Sequence, residues 1–318
     1  MKTSALIFLS FIITLGVYAQ KDWSKVDFAD EYKRKVKIKG GATKSLKKNK
    51  TFVTYYSVSQ ATAQKGSEKT ADNAIFMEVS LAGLNNNDYQ QMVNELHEQL
   101  ISELKEAGLK VTDGTDVLAS DYAQKRIGKD KNNEFIGNTG TNTMFEGKKK
   151  ITEGMMPGYA GVGVSRDISF LPVDKNIYYT SNYVKSGLFY GNLSKKEDFN
   201  LMTVKYYVSF ASFDGGRGYK DIKIESNPAI AVTADVMIYT PNGSFNQVYY
   251  KKLPAWGSGK WSNGVRKGKD NKSTADFLGL ARSAEWEFDA DPDKYMKETR
   301  AILSNLQKDI VDGIEKEL

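Results

Sequence analysis

The sequence predicts an α/β or α+β fold, with a mixed sheet of about five core strands, helices mainly on one face and an irregular β-rich insertion. Two patterns predict it: segments in which apolar and polar residues alternate, and long segments in which apolar residues recur every three or four positions. An aromatic content of 12% and the absence of cysteine point the same way. A chain of 318 residues can bury a substantial core without disulfides.

The first half begins with two strands and a long helix. Residues 51–59 and 74–81 alternate as strands do. Asn85 to Asp88 then offer capping side chains to a helix whose apolar residues include Tyr89, Leu96 and Leu104, and Gly108 is placed to end it.

A less regular region follows this helix. We expect a short strand at 109–112 and a weaker helix at 117–126. From about 127 to 201, Gly, Asn and Lys interrupt every pattern, which indicates an insertion. Short strands within it are predicted near 160–164, 168–171, 178–184 and 188–190.

The last third predicts a hairpin and two helices. Alternation returns from Val204 to Phe210 and from Ile230 to Ile238, and Pro241-Asn242-Gly243 supplies a turn into Phe245 to Tyr250. Ser273 and Asp276 have the spacing of a capping box before a helix that includes Phe277, Leu278 and Ala281. Asp291-Pro292 opens the final helix.

This order of elements, with the segments "ELKEAGLKVTDG" and "IAVTADVMIYTPNG", resembles the α/β core of the curli-type secretion channel (CsgG-like) proteins and related envelope proteins. The resemblance covers about residues 74–125 and 204–318. It implies a fold and an envelope location, and it carries over no functional residue. Channel-forming members are typically lipoproteins, whereas this chain has no cysteine to acylate.

The first nineteen residues predict an export signal. Lys2 is a positive start, Ala5 to Val17 is an apolar run, and Val17-Tyr18-Ala19 suits cleavage by a signal peptidase. We expect an exported protein, periplasmic or associated with the outer membrane, with no lipid anchor through cysteine and no integral membrane span. The predicted organisation is a signal peptide at 1–19, a basic N-terminal arm at 20–50 and a single globular domain at 51–318.

The positive charge of the chain is concentrated in the arm. The chain carries a net charge of +6, and residues 21–50 hold eleven Lys or Arg against four Asp or Glu, so the remainder is slightly acidic. The arm suits an anionic lipid, a glycan or another acidic surface, or it is a solvated leader. Nucleic acid is a poor candidate partner for an exported chain.

A second cationic segment spans residues 249–272 and combines aromatic residues with lysines. Aromatic platforms beside cations bind glycans, anionic polymers or partner proteins. The alternative is a loop whose tryptophans pack onto the sheet and whose lysines are solvated. The candidate binding residues are Trp256, Trp261, Lys251, Lys252, Lys260 and Arg266.

Motifs for catalysis, metals and cofactors are weak. His97 is the single histidine, and its neighbours one helical turn away are Val93, Asn94, Leu100 and Ile101, none of them acidic. The chain has no G-x-S-x-G elbow, and its glycine-rich turns lack the residues of a nucleotide fingerprint. The acids at 289, 291 and 293 depart from a calcium loop at three positions and suit the start of a helix instead.

We therefore expect an exported, envelope-associated binding or assembly protein with no catalytic residue, metal or cofactor. Its expected partner is an envelope protein or an anionic glycan or lipid surface, and a homo-oligomer stays open. The alternatives are a carboxylate-dependent glycan hydrolase and a subunit of an oligomeric CsgG-like outer-membrane secretion channel.

Overall fold

The computed structural model describes a large part of the predicted domain and two short segments of the arm. The described residues are 36–39, 43–69, 74–114, 117–127, 135–138, 144–147, 162–173, 176–178, 183–217, 222–243, 245–250, 259–267 and 281–318. The predicted signal peptide and the greater part of the predicted arm lie outside these ranges.

Within these ranges the chain forms five helices and thirteen strands. The helices are α1 (Thr43–Lys48), α2 (Asn86–Glu106), α3 (Asp121–Ile127), α4 (Tyr183–Glu197) and α5 (Pro292–Glu317). The strands are β1 (Val36–Lys39), β2 (Thr51–Lys69), β3 (Ala74–Ala82), β4 (Val111–Asp113), β5 (Phe135–Asn138), β6 (Met144–Gly147), β7 (Val162–Phe170), β8 (Asn176–Tyr178), β9 (Asn200–Arg217), β10 (Ile222–Tyr239), β11 (Phe245–Tyr250), β12 (Ser262–Lys267) and β13 (Ala281–Ala290).

One mixed sheet organises the fold, which confirms the predicted fold class. Its main path runs β1-β11-β10-β9-β2-β3-β13-β12, and β4, β6 and β7 join it from the side. With eleven strands in the described residues, it extends well beyond the expected five core strands. The strand pairs β2/β9, β2/β4 and β3/β13 are parallel, and the hairpin β10/β11 is antiparallel as predicted.

The two longest helices lie on one face of the sheet. Tyr89, Leu96 and Leu104 of α2 share a core with Ile302 and Ile310 of α5 and with one side of β2, β9 and β10. Each helix begins at the predicted cap, because the side chains of Asn85 and Asp291 accept from backbone amides of the first turn. Gly108 follows α2 with a φ of 88°, the left-handed conformation predicted for it.

A smaller core occupies part of the other face. Phe189, Tyr190 and Leu193 of α4 pack against Leu201 of β9 and Tyr239 of β10. Since side chains alternate along a strand, Leu201 faces this core while the adjacent Met202 faces the long helices.

A single glutamine joins β2 to both long helices. Gln60 Oε1 accepts hydrogen bonds from the hydroxyls of Tyr89 (2.8 Å) and Tyr295 (3.0 Å), and its Nε2 donates to the backbone oxygen of Ala61 at 2.8 Å. Burial raises the pKa of both tyrosines, so their hydroxyls remain neutral donors. The bonds hold the first turns of α2 and α5 at the same level of β2.

Strand β2 changes partner just beyond this glutamine. Thr51 to Gln60 pairs with β9, whereas Ala63 to Lys69 pairs with β3. Gln64 lies at this change with 1% of its surface exposed, and its Oε1 accepts from the backbone amides of Phe210 (2.8 Å) and Ala211 (3.0 Å). The side chain thus satisfies two buried amides of β9 beyond the end of the β2/β9 pairing.

Two of the strands predicted in the insertion are wrong. Strand β7 joins 162–164 and 168–170 in one strand, with 160–161 outside the described residues. In contrast, β8 ends at Tyr178 and α4 occupies 183–197, including Leu188 to Tyr190. The helix is favoured because Phe189, Tyr190 and Leu193 recur at helical spacing and bury together.

Two other segments also differ from the prediction. The helix expected at 117–126 is a 3₁₀ turn (Val117–Ala119) followed by α3. The helix expected from Ser273 falls largely on 268–280, outside the described residues, and Ala281 begins strand β13 instead. Strands β12 and β13 have no counterpart in the prediction.

The glutamine at the partner change provides a test of the fold. Replacing Gln64 with Ala leaves the amides of Phe210 and Ala211 without an acceptor, and we expect a loss of about 2 to 3 kcal/mol in the free energy of unfolding. Guanidinium unfolding measures it. Gln91→Ala, at an exposed position of α2, is the matched control and should change stability little. Equal losses in the two variants would contradict the role assigned to Gln64.

Candidate functional site

The predicted cationic aromatic segment divides into described and undescribed parts. Trp256, Lys251 and Lys252 lie outside the described residues. Lys260 is exposed at the start of β12, and Arg266 is exposed within that strand. The two candidate cations that lie in the described residues are therefore on or beside β12, at one edge of the sheet path.

Trp261 is buried, so its expected position on a binding surface is wrong. It has 0% exposure, and its ring centroid lies 4.9 Å from that of Tyr295 and 6.3 Å from that of Phe288. Its backbone oxygen accepts from the amide of Asp291 at 2.8 Å, at the cap of α5. The alternative weighed from the sequence, a tryptophan packed onto the sheet, is what the structure has at this position.

Arg266 forms a cross-strand ion pair. Its Nη2 lies 2.8 Å from Asp289 Oδ2 on β13, with side-chain exposures of 69% and 30%. Such an exposed pair contributes little to stability.

The acidic run at 289–293 serves the start of α5. Asp291 Oδ1 accepts from the amide of Lys294 at 3.1 Å, and its Oδ2 lies 2.8 Å from Lys294 Nζ. The hydrogen bond from the Lys294 side chain is the main reason why the pKa of Asp291 is lowered. Among the described residues, no group of three or more His, Cys, Asp or Glu side chains is placed to hold a metal ion.

A stability measurement distinguishes the two roles considered for Trp261. Truncation of a buried tryptophan removes its contacts with Tyr295 and Phe288, and we expect Trp261→Ala to lower the free energy of unfolding by about 3 to 5 kcal/mol. Val265→Ala on β12, where 49% of the side chain is exposed, is the control and should stay within about 0.5 kcal/mol of the parent. A Trp261→Ala protein as stable as this control would reinstate the surface role.

Exposed lysines gather at one end of the sheet. This end is marked by Asn200, whose backbone amide donates to Lys50 at 2.8 Å, and by Thr51, whose amide donates to Lys110 at 2.8 Å. Asn200 Nδ2 also donates to Ser45 of α1 at 3.1 Å, and α4 ends three residues before Asn200. The exposed lysines here, which we call the lysine end, are Lys44, Lys47, Lys48, Lys50, Lys105, Lys110, Lys195 and Lys196.

Acidic residues at the lysine end are fewer. The described segments 44–50, 98–113 and 195–198 hold the eight lysines and six acids, which are Glu98, Glu103, Glu106, Asp113, Glu197 and Asp198. The last turns of α5, which runs toward the same end, add Asp312, Glu315 and Glu317 with Lys308 and Lys316. The excess of lysines therefore belongs to α1, α4 and the segment from the end of α2 to β4, and the acids of α5 offset part of it.

An open groove of about 520 Å³ lies between α2 and the start of β2 and β4. The residues that line it are Lys50, His97, Glu98, Ile101, Lys105, Thr112 and Asp113. Lys50 and Lys105 belong to the lysine end, so the groove opens within this cationic surface. Its volume falls in the range of small-molecule sites, about 300 to 1,000 Å³.

His97 lines the groove and is buried. Its exposure is 5%, and its ring meets that of Tyr56 edge-on with centroids 5.3 Å apart. Tyr56 in turn donates to Gln307 Oε1 at 3.2 Å, behind the groove. The imidazole thus separates the groove from the packed core.

Lys205 is an unusual residue on the sheet face opposite the long helices. It lies in register between Ser57 of β2 and Asp235 of β10, and its Nζ is 5.3 Å from the centre of the Tyr55 ring. Burial lowers the pKa of Lys205, and attraction to Asp235 acts in the opposite direction. Ser57 is 2% exposed. The polar residues that alternate with Val204 and Tyr206 in β9 therefore lie on a face of the sheet that is more buried than a strand face open to solvent.

The pH dependence of stability tests the environment of Lys205. Its pKa is below the ordinary 10.5 in the folded state, so the unfolded state binds more protons between the two values and stability rises with pH there. We expect the stability advantage of Lys205→Met to be largest near neutral pH and to shrink as pH approaches 10.5. Thermal unfolding from pH 7 upward measures it, with Lys297→Met on the exposed side of α5 as control. A gap that does not change with pH would contradict the lowered pKa.

Only some of the residues that line the groove can be predicted to lie together from the sequence. Lys105, Glu98 and Ile101 share one side of α2 by helical spacing, which a sequence can indicate. Lys50, Thr112 and Asp113 reach the groove through the parallel pairing of β4 with β2, which is not encoded in any local pattern.

No family model, curated protein or solved structure matches the chain. The resemblance to CsgG-like proteins therefore stays a prediction. Among the described residues no helix is long and apolar enough to cross a membrane.

Proposed function

We propose that the protein is an exported envelope protein that binds phosphate-bearing lipid surfaces through its lysine end. The observation that carries the proposal is the gathering of eight exposed lysines where α1, α2 and α4 end. The export signal predicted at 1–19 supports an envelope location.

The charge of the neighbouring chain supports the same surface. Residues 21–43, which precede the first lysine of the lysine end in the chain, add seven basic against four acidic residues. Each lysine near an anionic membrane surface contributes about 1 kcal/mol to its attraction. Separate exposed lysines on several elements suit an extended array of phosphates better than one small ligand.

Contact through lysines also implies dependence on salt. The Debye length falls from about 10 Å at 0.1 M to about 3 Å at 1 M, so binding through exposed lysines weakens as salt rises. Neither the hydrolase nor the channel alternative has a supporting observation among the described residues.

Vesicle sedimentation tests the proposal. Lys47→Gln with Lys48→Gln removes two charges from the lysine end, and we expect roughly 30-fold weaker binding to vesicles that contain phosphatidylglycerol. Lys294→Gln with Lys297→Gln, which removes two exposed lysines from the opposite end of α5, should bind as the parent does. Vesicles that contain lipopolysaccharide form a second arm, which tells whether phospholipid or lipid A supplies the phosphates.

Two outcomes would overturn the proposal. Parent protein that fails to sediment with either kind of anionic vesicle at low salt would do so. Equal losses of binding in the two double variants would do so as well, because the effect would then follow net charge and not the lysine end.

A further inference from the structure

The groove between α2 and β4 has charges of opposite sign at its two ends. Lys105 lies in the last turn of α2, and Lys50 directly precedes β2. Glu98 is seven residues earlier on α2, about 10 Å along the helix axis. Asp113 ends β4, in register with Val53 and therefore farther along β2 than Lys50.

This arrangement follows from the topology. Helix α2 runs toward the lysine end, whereas β4 runs away from it, because β4 pairs in parallel with β2 from Thr51 to Val53. The carboxyl end of α2 and the residue before β2 hold the cations, and the earlier part of α2 and the end of β4 hold the acids. On both walls of the groove, α2 on one side and β2 with β4 on the other, the cations therefore lie toward the lysine end and the acids lie away from it.

The cations of the groove are placed for a ligand. The ion pairs found among the described residues involve neither Lys50 nor Lys105. The Nζ of Lys50 lies 4.6 Å from the centre of the Phe52 ring, which packs against the smaller core.

Polar groups and one apolar group lie between the two ends. The buried His97 lines the groove, together with Ile101. Thr112 Oγ1 is a buried atom with no hydrogen-bond partner in the described part of the chain. A buried hydroxyl without a partner is costly, and a ligand that supplies one removes that cost.

We propose that the groove binds a zwitterionic phosphate ester of an amine, of the phosphoethanolamine type, with the phosphate at Lys50 and Lys105 and the ammonium at Glu98 and Asp113. The inference rests on the proposed function, since the groove opens within the lysine end and would hold one headgroup of the bound surface. A simple anion would use the lysines alone and leave Glu98 facing a negative ligand, which is unfavourable.

The single histidine makes binding directly observable. Because the chain contains one His, the imidazole Hε1 signal of His97 is unique in a spectrum of the intact protein labelled at histidine. O-phosphoethanolamine, inorganic phosphate and ethanolamine are each titrated into the protein at constant ionic strength. We expect the His97 signal to shift to saturation with O-phosphoethanolamine at concentrations at least about fivefold lower than with either fragment.

Matched variants separate the groove from its surroundings. Glu98→Gln and Lys105→Gln, both at exposed positions, should each weaken O-phosphoethanolamine about fivefold. Glu106→Gln and Lys297→Gln remove the same kinds of charge from exposed positions that do not line the groove, and they should bind as the parent does. Glu98→Gln should leave the affinity for inorganic phosphate no weaker.

The results that overturn the inference are specific. Equal affinity of the parent for phosphate and O-phosphoethanolamine would remove the role of the acids. Groove variants that bind as the parent does, or equal losses in groove and control variants, would remove the groove. No shift of the His97 signal with any probe would do the same.

The source of the headgroup is distinguished by a vesicle arm. Vesicles that contain phosphatidylethanolamine should compete with soluble O-phosphoethanolamine for the groove if a phospholipid supplies the headgroup, and fail to compete if a soluble ester does. The inference and the proposed function can fail separately. Loss of vesicle binding in the Lys47, Lys48 double variant with no response to O-phosphoethanolamine overturns the inference alone. The soluble response without vesicle binding overturns the proposed function alone.

Discussion

The partner change of β2 is the constraint on which the rest of the structure depends. One strand of nineteen residues pairs with β9 along its first half and with β3 along its second, so it joins the two halves of the main sheet path. Backbone groups left without a partner at such a change would be buried and costly. Gln60 and Gln64 lie at this point, and their side chains form hydrogen bonds with backbone groups that have no partner strand there. Apolar replacements would fill the space and leave the amides of β9 without an acceptor.

The same point sets the direction of the long helices. Tyr89 and Tyr295 each lie four residues after a capping residue, and both donate to Gln60, so α2 and α5 begin at one level of the sheet. Farther along, Tyr56 donates to Gln307 of α5, and Gln307 Nε2 lies 3.5 Å from Glu103 of α2. The two helices therefore run side by side in the same direction, and the groove lies where α2 approaches its end.

The elements that the sequence predicts correctly are those set by interactions between residues close together in the chain. The two long helices, the strands that begin at 51 and 74 and the hairpin at 241–243 follow from periodicity, caps and turn residues, and each is present. The helix at 183–197 was missed because its glycines and aromatic residues resemble short strands until Leu201 and Tyr239 supply a surface to pack on. Trp261 stands among the candidate binding residues because its neighbours in sequence are cationic, whereas its environment is set by Tyr295, which is distant in sequence. Lys50, Thr112 and Asp113 likewise reach the groove through the pairing of β4 with β2, which no local pattern in the sequence indicates.

The common direction of the helices has an electrostatic consequence at the lysine end. Helices α1, α2 and α4 end there, and α5 runs toward it, so the negative ends of several helix dipoles converge on one region of the molecule. The lysines therefore face two competing attractions, one from their own backbone carbonyls and one from external phosphates. In the proposed binding, an external phosphate competes with the helix-end carbonyls for these lysines, so the helix ends lower the positive potential of the surface. The effective positive charge of the lysines is therefore smaller than their number suggests, because the negative helix ends offset part of it.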